Sequence, residues 1–395
     1  MTKKNITGAF RVLLFSVLFS SISLFAQHNN TSPQSEHHDS DIQHEMQSTK
    51  HGDEHAGEES EEFNASEVIL EHVKDSHGWH ILTTKDGHHV NVPLPVILFS
   101  KHSGFHIFMS SKIGHGHSYK GFELGHGTIM IENSKGELTE KSVEGKILEL
   151  DEEGNLVGAG LPLDFSITKN VFMMFLAVLI LIIVFLSVAK SYKKRGVAAP
   201  GGLQGFLEPL IVFVEEDIAI PNIGETKYAR YMPYLLTIFF FILIHNLMGL
   251  IPFFPFGANV TGNIAVTMVL ALFTLLITNF SGNKAYWRHI FAPPGVPKLL
   301  LLIMVPVELL GILTKPFALM VRLFANITAG HIIVLSLVSL IFFFKSVFMA
   351  VPSLVLVIFM DMIEILVAFL QAYIFTLLSA LFIGLAMPEH EHVQA

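Results

Sequence analysis

The sequence has no cysteine. Disulfides, thiolate metal sites and cysteine nucleophiles are thereby excluded, and the compartment must be read from other signals. Charge is also scarce: Asp, Glu, Lys and Arg make up 15% of the 395 residues, against about 25% in a typical soluble domain. The net charge of −9 comes largely from an acidic stretch near the N-terminus, and nothing basic enough to grip nucleic acid is present. Apolar side chains fill the gap. They are 51% of the chain, 34 of them Phe, which points to an integral membrane protein.

Composition changes along the chain. Lys3, Lys4 and Arg11 precede an apolar run from Val12 to Phe25, the pattern of a secretory signal peptide over 1–26, although Leu24 stands where a small residue is usual. Residues 27–65 are mostly Ser, Glu, Asp, Gln and His and hold too little apolar surface to offset the entropy of ordering, so disorder is expected there. Over 66–165 short apolar-polar alternations such as Trp79 to Thr84 are broken by Asp86-Gly87 and Ser134-Lys135-Gly136. This predicts a small β-rich extracytoplasmic domain. Sixteen of the 21 histidines lie before residue 127. His88, His89, His115 and His117 could bind zinc or copper, though their spacing matches no fixed metal site, and the alternative is a solvated segment whose histidines buffer protons or bind metal loosely.

From 166 to 388 the pattern is that of a membrane domain, followed by a short cytoplasmic tail at 389–395. Nineteen uncharged residues run from Val171 to Ala189, about 28 Å of helix, enough to cross the hydrocarbon core. Lys190, Lys193, Lys194 and Arg195 follow and mark that end as cytoplasmic. The stretch from Pro200 to Arg230 predicts a segment lying on the cytoplasmic surface. Further spans are expected over Tyr231 to Phe256 and Val260 to Phe280. Leu299 to Thr314 is short and contains Pro306 and Glu308, which predicts an interfacial or re-entrant helix. Pro316 to Phe344 and Ser346 to Met387 complete the set. The fold expected is an all-α polytopic membrane protein with a long, tilted C-terminal helical hairpin, preceded by the β-rich domain.

The last two apolar segments carry the chemistry. An arginine inside an apolar helix is costly unless a partner, water or function offsets it. Arg322 is such a residue, with Asn326 and Gly330 at i+4 and i+8 on the same helix face. A guanidinium effectively never deprotonates, so Arg322 suits a fixed positive charge and not a relay. His331 is turned about 180° from Arg322. On the final segment Glu364 and Gln371 share a face. A buried carboxyl, a histidine and an amide on neighbouring helices could together pass protons. Asp361, three residues before Glu364, is either a channel group or a solvated acid at the outer edge.

Arg322-Leu323-Phe324-Ala325-Asn326-Ile327-Thr328-Ala329-Gly330-His331 resembles the signature helix of subunit a of F-type ATP synthases. Glu364 to Thr376, Lys315-Pro316, Asn246 to Pro252 and Asn259 to Thr267 are also similar to that family. The resemblance spans about 165 to 388. It implies a proton-translocating, non-catalytic Fo stator subunit of a bacterial inner membrane, multi-pass, with its N-terminal domain in the periplasm and its C-terminus in the cytoplasm. The implied partners are the c-ring, the subunit b peripheral stalk and the rest of the complex, and no cofactor is implied. Arg322 would face each ring carboxylate. Asn326, His331, Glu364 and Gln371 would line the outer access path, and Glu308 would lie toward the cytoplasmic exit. Many bacterial members have an acid at the position of His331 and a histidine at that of Glu364, so this chain carries the pair exchanged. A secondary metal-ion transporter with a His-rich sensor segment is the rival expectation, though no paired repeats of broken helices are evident.

Overall fold

The computed structural model describes residues 74–83, 89–114, 117–125, 127–132, 138–151, 153–154, 156–157, 161–195, 201–251, 255–293, 296–344 and 347–387. The expected signal peptide, the 27–65 segment and the 389–395 tail lie outside the described residues.

Among the described residues nine short strands come first: β1 Gly78–Thr83, β2 His89–Pro93, β3 Pro95–Ser100, β4 Gly104–Met109, β5 Phe122–Leu124, β6 Thr128–Glu132, β7 Leu138–Ser142, β8 Ile147–Glu149 and β9 Leu163–Asp164. They form four small antiparallel groups, β1-β2, β4-β3-β9, β5-β8 and β6-β7. Side chains alternate along β3, so Val96 and Leu98 are fully buried while Phe99 is exposed. The inward residues meet Phe108, Ile113, Phe122 and Ile147 in one small core.

The strands are tied closely to the first long helix, α1 (Lys169–Arg195). Asp75 accepts the Thr168 hydroxyl at 2.7 Å and the Asn170 amide at 3.1 Å, which satisfies a donor otherwise orphaned at a helix start. His77 Nε2 lies 2.8 Å from Asp164 Oδ2. Trp79 packs edge-on against Phe172 with ring centroids 6.0 Å apart, so β1 sits directly on the helix.

The remainder is helical: α2 Leu203–Phe213, a π-helical turn Val214–Ala219, α3 Ile220–Ile223, α4 Tyr228–Gly249, α5 Ile264–Ser281, α6 Lys284–Phe291, α7 Lys298–Phe344 and α8 Val347–Leu385. Among the described residues five helices, α1, α4, α5, α7 and α8, are long and apolar enough to cross a membrane. Along α1, Phe175, Leu179, Ile183 and Leu186 form an exposed apolar stripe, while Met173, Met174, Ala177 and Leu181 on the other side are buried. That asymmetry is what one packed face and one lipid face require. Asn263 begins α5 by accepting the Ala265 amide.

Two expectations are corrected. The stretch from Pro200 to Arg230 does not merely lie on a surface. Val214, Ile218 and Ala219 are completely buried in the central core, and the Phe213 ring meets Phe369 and Tyr373 of α8. The π-helical turn inserts one extra residue, and with it Glu216 and Asp217 remain exposed while their apolar neighbours face inward. A Cβ on Gly384 of α8 would collide with the Asn222 carbonyl oxygen at 1.8 Å, so glycine is needed for α3 to seat there.

Leu299 to Thr314 is not a separate interfacial or re-entrant helix. It is the first part of α7, a 47-residue helix that continues through Pro306 and Pro316. Each proline forfeits one helical hydrogen bond. A full break in an apolar segment would orphan several backbone groups, each at several kcal/mol in lipid, so continuity is favoured. At about 70 Å, α7 exceeds the roughly 30 Å of hydrocarbon. Its partner α8 runs antiparallel to it: the Lys315 ammonium lies over the Phe382 ring, Asn326 bonds Gln371, and the Ser353 hydroxyl donates to the Leu337 carbonyl.

Candidate functional site

The polar residues of the bundle gather where α4, α7 and α8 meet. Asn326 Nδ2 on α7 donates to Gln371 Oε1 on α8 at 3.1 Å, and Gln371 is buried. A little over one turn further along α7, His331 Nδ1 lies 3.9 Å from Glu364 Oε2. That is ion-pair range and too long for a direct hydrogen bond. Glycine at 330 makes this approach possible, since a Cβ there would stand 2.7 Å from Glu364 Oε1, while Gly249 of α4 faces His331 at ordinary contact distance.

Behind the pair lies a cavity of ≈ 20 Å³, room for about one water. Asn326, Gly330, His331 and Glu364 line one side, and His245, Asn246, Asn259 and Thr261 contribute from the other. Asn246 is held by the Thr261 hydroxyl, which donates to its Oδ1 at 2.7 Å. His245 is fully inside α4, its Nδ1 2.7 Å from the Phe241 carbonyl.

Arg322 is placed differently. It is exposed, among the exposed Phe317, Ala318, Val321, Ala325 and Ala329. It makes no ion pair or hydrogen bond among the described residues. The guanidinium thus stands on an apolar, small-residue face, one helical turn from Asn326.

Of the remaining candidates, Glu308 lies on α7 about 21 Å along the axis from Arg322. It sits near α6, where burial first and the Glu308 charge second raise the Tyr286 phenol above its ordinary value. Asp361 is exposed on α8 beside the exposed Met362 and Ile365 and does not line the cavity. His117 is exposed. His88, His115 and the His89 side chain lie outside the described residues. Among the described residues no three His, Asp or Glu side chains are placed to hold a metal ion.

Sequence reasoning did not single out His245, Thr261 and Gly249 as site residues. A signal for the first existed: His245-Asn246 is a polar pair inside an otherwise apolar span, the kind of residue that marks function in a membrane.

The family model described as ATP synthase A chain matches residues 171–384, more than half of the chain. The chain belongs to the ATP synthase A chain family. A second model, described as a domain of unknown function (DUF8433), matches residues 68–159. The ATP synthase subunit a of Chloroherpeton thalassium is 50% identical over 235 residues, covering 58% of this chain and 69% of that protein. The ATP synthase subunit a 2 of Chlorobaculum tepidum is 51% identical over 230 residues, 56% of this chain and 64% of its own length. The ATP synthase subunit a of Anaeromyxobacter sp. is 44% identical over 263 residues, 65% of this chain and 62% of its own. The chain therefore spans about two thirds of the relatives it matches. The part shared with the ATP synthase A chain family runs from α1 to α8 and contains every residue of the α4, α7 and α8 junction.

Proposed function

We propose that this chain is the proton-translocating stator subunit of an Fo sector, providing two offset half-channels to a ring of c subunits. The observation that carries the reading is the exposure of Arg322 on an apolar, small-residue face one turn from the Asn326–Gln371 bond. Small residues let another helix approach closely in lipid. A lone guanidinium on such a face has a reason to be there if a carboxylate on that helix comes opposite it.

In the proposed cycle a proton enters from the periplasmic side past His331, Glu364, Asn326 and Gln371 and neutralises a ring carboxylate, which can then face lipid. After nearly a full turn the carboxyl reaches the cytoplasmic half-channel near Glu308, and the Arg322 charge draws its proton off. Because the guanidinium keeps its charge, it also blocks protons from passing straight between the half-channels. Each charge moved through 100 mV yields about 2.3 kcal/mol, so several protons are coupled to each ATP made elsewhere in the complex. The chain itself performs no bond chemistry. Its partners in this reading are the c-ring, the subunit b stalk and the rest of the complex. The β-rich region faces the periplasm and the C-terminus the cytoplasm of a bacterial inner membrane. A metal-ion transporter has no support from the family the chain belongs to.

The test is ATP-driven proton pumping in inverted vesicles carrying either the native chain or Arg322→Ala, with assembly checked in both. Loss of pumping despite assembly is expected, and undiminished coupled pumping would overturn the reading.

A further inference from the structure

Three residues lining the cavity each carry a buried polar atom without a hydrogen-bond partner among the described residues: His245 Nε2, Asn259 Nδ2 and Glu364 Oε1. Buried polar atoms are as a rule satisfied by protein or by ordered water. Three of them around a space of ≈ 20 Å³ make the polar, roomy setting that an internal water needs. The residues are 1%, 3% and 9% exposed respectively.

Their neighbours fix what each atom does. The Phe241 carbonyl, 2.7 Å from His245 Nδ1, can only accept, so Nδ1 carries the ring proton and Nε2 presents a lone pair. The Phe241 ring, 4.0 Å away between centroids, packs against the imidazole. Asn259 Oδ1 accepts the Gly262 amide at 2.9 Å, which leaves Nδ2 as a donor. Glu364 Oε1 accepts when ionised and donates when protonated. One acceptor, one donor and one group able to be either form a complete shell for one water.

We propose that these three atoms bind a water molecule in the cavity, and that His245 is the positioning residue that orients it for proton transfer to Glu364. The water donates one hydrogen to His245 Nε2, accepts from Asn259 Nδ2 and aims its other hydrogen at Glu364 Oε1. A proton arriving at the water oxygen completes the step. The O–H bond toward Glu364 breaks as a new one forms on Oε1, and the arriving proton restores the water. One proton has moved, and His245 is unchanged.

This inference rests on the proposed proton inlet, and its test separates the two. Passive proton conductance is measured in vesicles stripped of the catalytic sector, with assembled complexes carrying the native chain, Arg322→Ala, His245→Phe or His245→Gln. Phenylalanine keeps an aromatic ring against Phe241 and removes the acceptor, while glutamine retains an acceptor of similar reach. His245→Phe is expected to lower conductance about tenfold, the rate equivalent of one lost hydrogen bond at a transferring proton, and His245→Gln to retain most of it. Native conductance in His245→Phe would overturn the water site. So would an equal loss in both His245 variants, since ring packing and not the lone pair would then be at issue. Undiminished ATP-driven pumping by Arg322→Ala in complexes that keep the catalytic sector would instead sink the proposed function itself.

Discussion

Gly330 of α7 lies beneath the Glu364 carboxyl of α8 so closely that a single methyl there would stand 2.7 Å from Oε1 and 3.1 Å from Cδ. Both atoms are at the far end of a flexible side chain, so Gly330→Ala should be met by a turn of the Glu364 carboxyl and not by separation of the helices. The chain is expected to assemble normally while proton conductance falls roughly tenfold to a hundredfold, because a displacement of about 1 Å in a reacting group can cost about 100-fold. Gly330→Val should be more severe. Unaltered conductance in an assembled Gly330→Ala complex would show that the placement of Glu364 does not limit proton flow.

The Asn326–Gln371 bond should be measurable as a coupling. Replacing either residue with Leu leaves the other amide without its partner, and Gln371 is only 3% exposed. Asn326→Leu, which strands the buried Gln371 amide, is expected to cost about 1–3 kcal/mol, and Gln371→Leu, which leaves only the exposed Asn326, should cost less. The double change should cost less than the sum, with a coupling of about 1 kcal/mol. Reversible unfolding of the purified chain in detergent gives the four stabilities. Additive effects would mean the bond contributes nothing net.

Much of this arrangement was legible beforehand, for a physical reason. Arg322, His331 and Glu364 are ionisable groups in apolar segments, and the cost of placing them there makes them conspicuous. The spans of α1, α4 and α5 were equally plain from length and hydropathy. The continuity of α7 was not, because Pro306 and Pro316 look like breaks until the cost of unpaired backbone in lipid is weighed against them. Nor was the burial of Val214 and Ile218, which depends on a π-helical turn that no local pattern announces. The shared cavity unites Glu364 with His245 and Asn259, each more than a hundred positions before it, and only the packing of α8 against α4 brings them together.

Because His331 and Glu364 lie 3.9 Å apart, their order along the pair should matter less than the presence of one of each. His331→Glu alone sets two carboxyls face to face, and Glu364→His alone sets two imidazoles. Either is expected to lower ATP-driven pumping by roughly tenfold or more. The double exchange restores one acid and one imidazole and should recover most of the native rate. A double variant as impaired as the worse single would show that the two side chains do not act as a pair.

The junction of the strands with α1 should weaken as pH rises. Burial lowers the affinity of His77 for its proton, but the Asp164 carboxylate 2.8 Å away outweighs it, so the net value is raised above 6.5. A raised value means the stabilisation is complete below about pH 6.5 and is lost as pH passes through the folded value. Asp164 has the opposite sign: burial raises it, the His77 bond outweighs that, and its value falls below 3.8. Its contribution is therefore lost only in acid. Asp75, raised mainly by burial, adds to the loosening as pH rises. For the His77–Asp164 pair the window of greatest strength lies between about pH 4 and 6.5. Trp79 packs on Phe172 at this junction, and Trp287→Phe leaves it as the single indole of the chain. Thermal unfolding followed by Trp79 fluorescence should shift to lower temperature between about pH 6 and pH 8, and His77→Gln should flatten that shift. An undiminished shift in His77→Gln would assign the pH dependence to other groups.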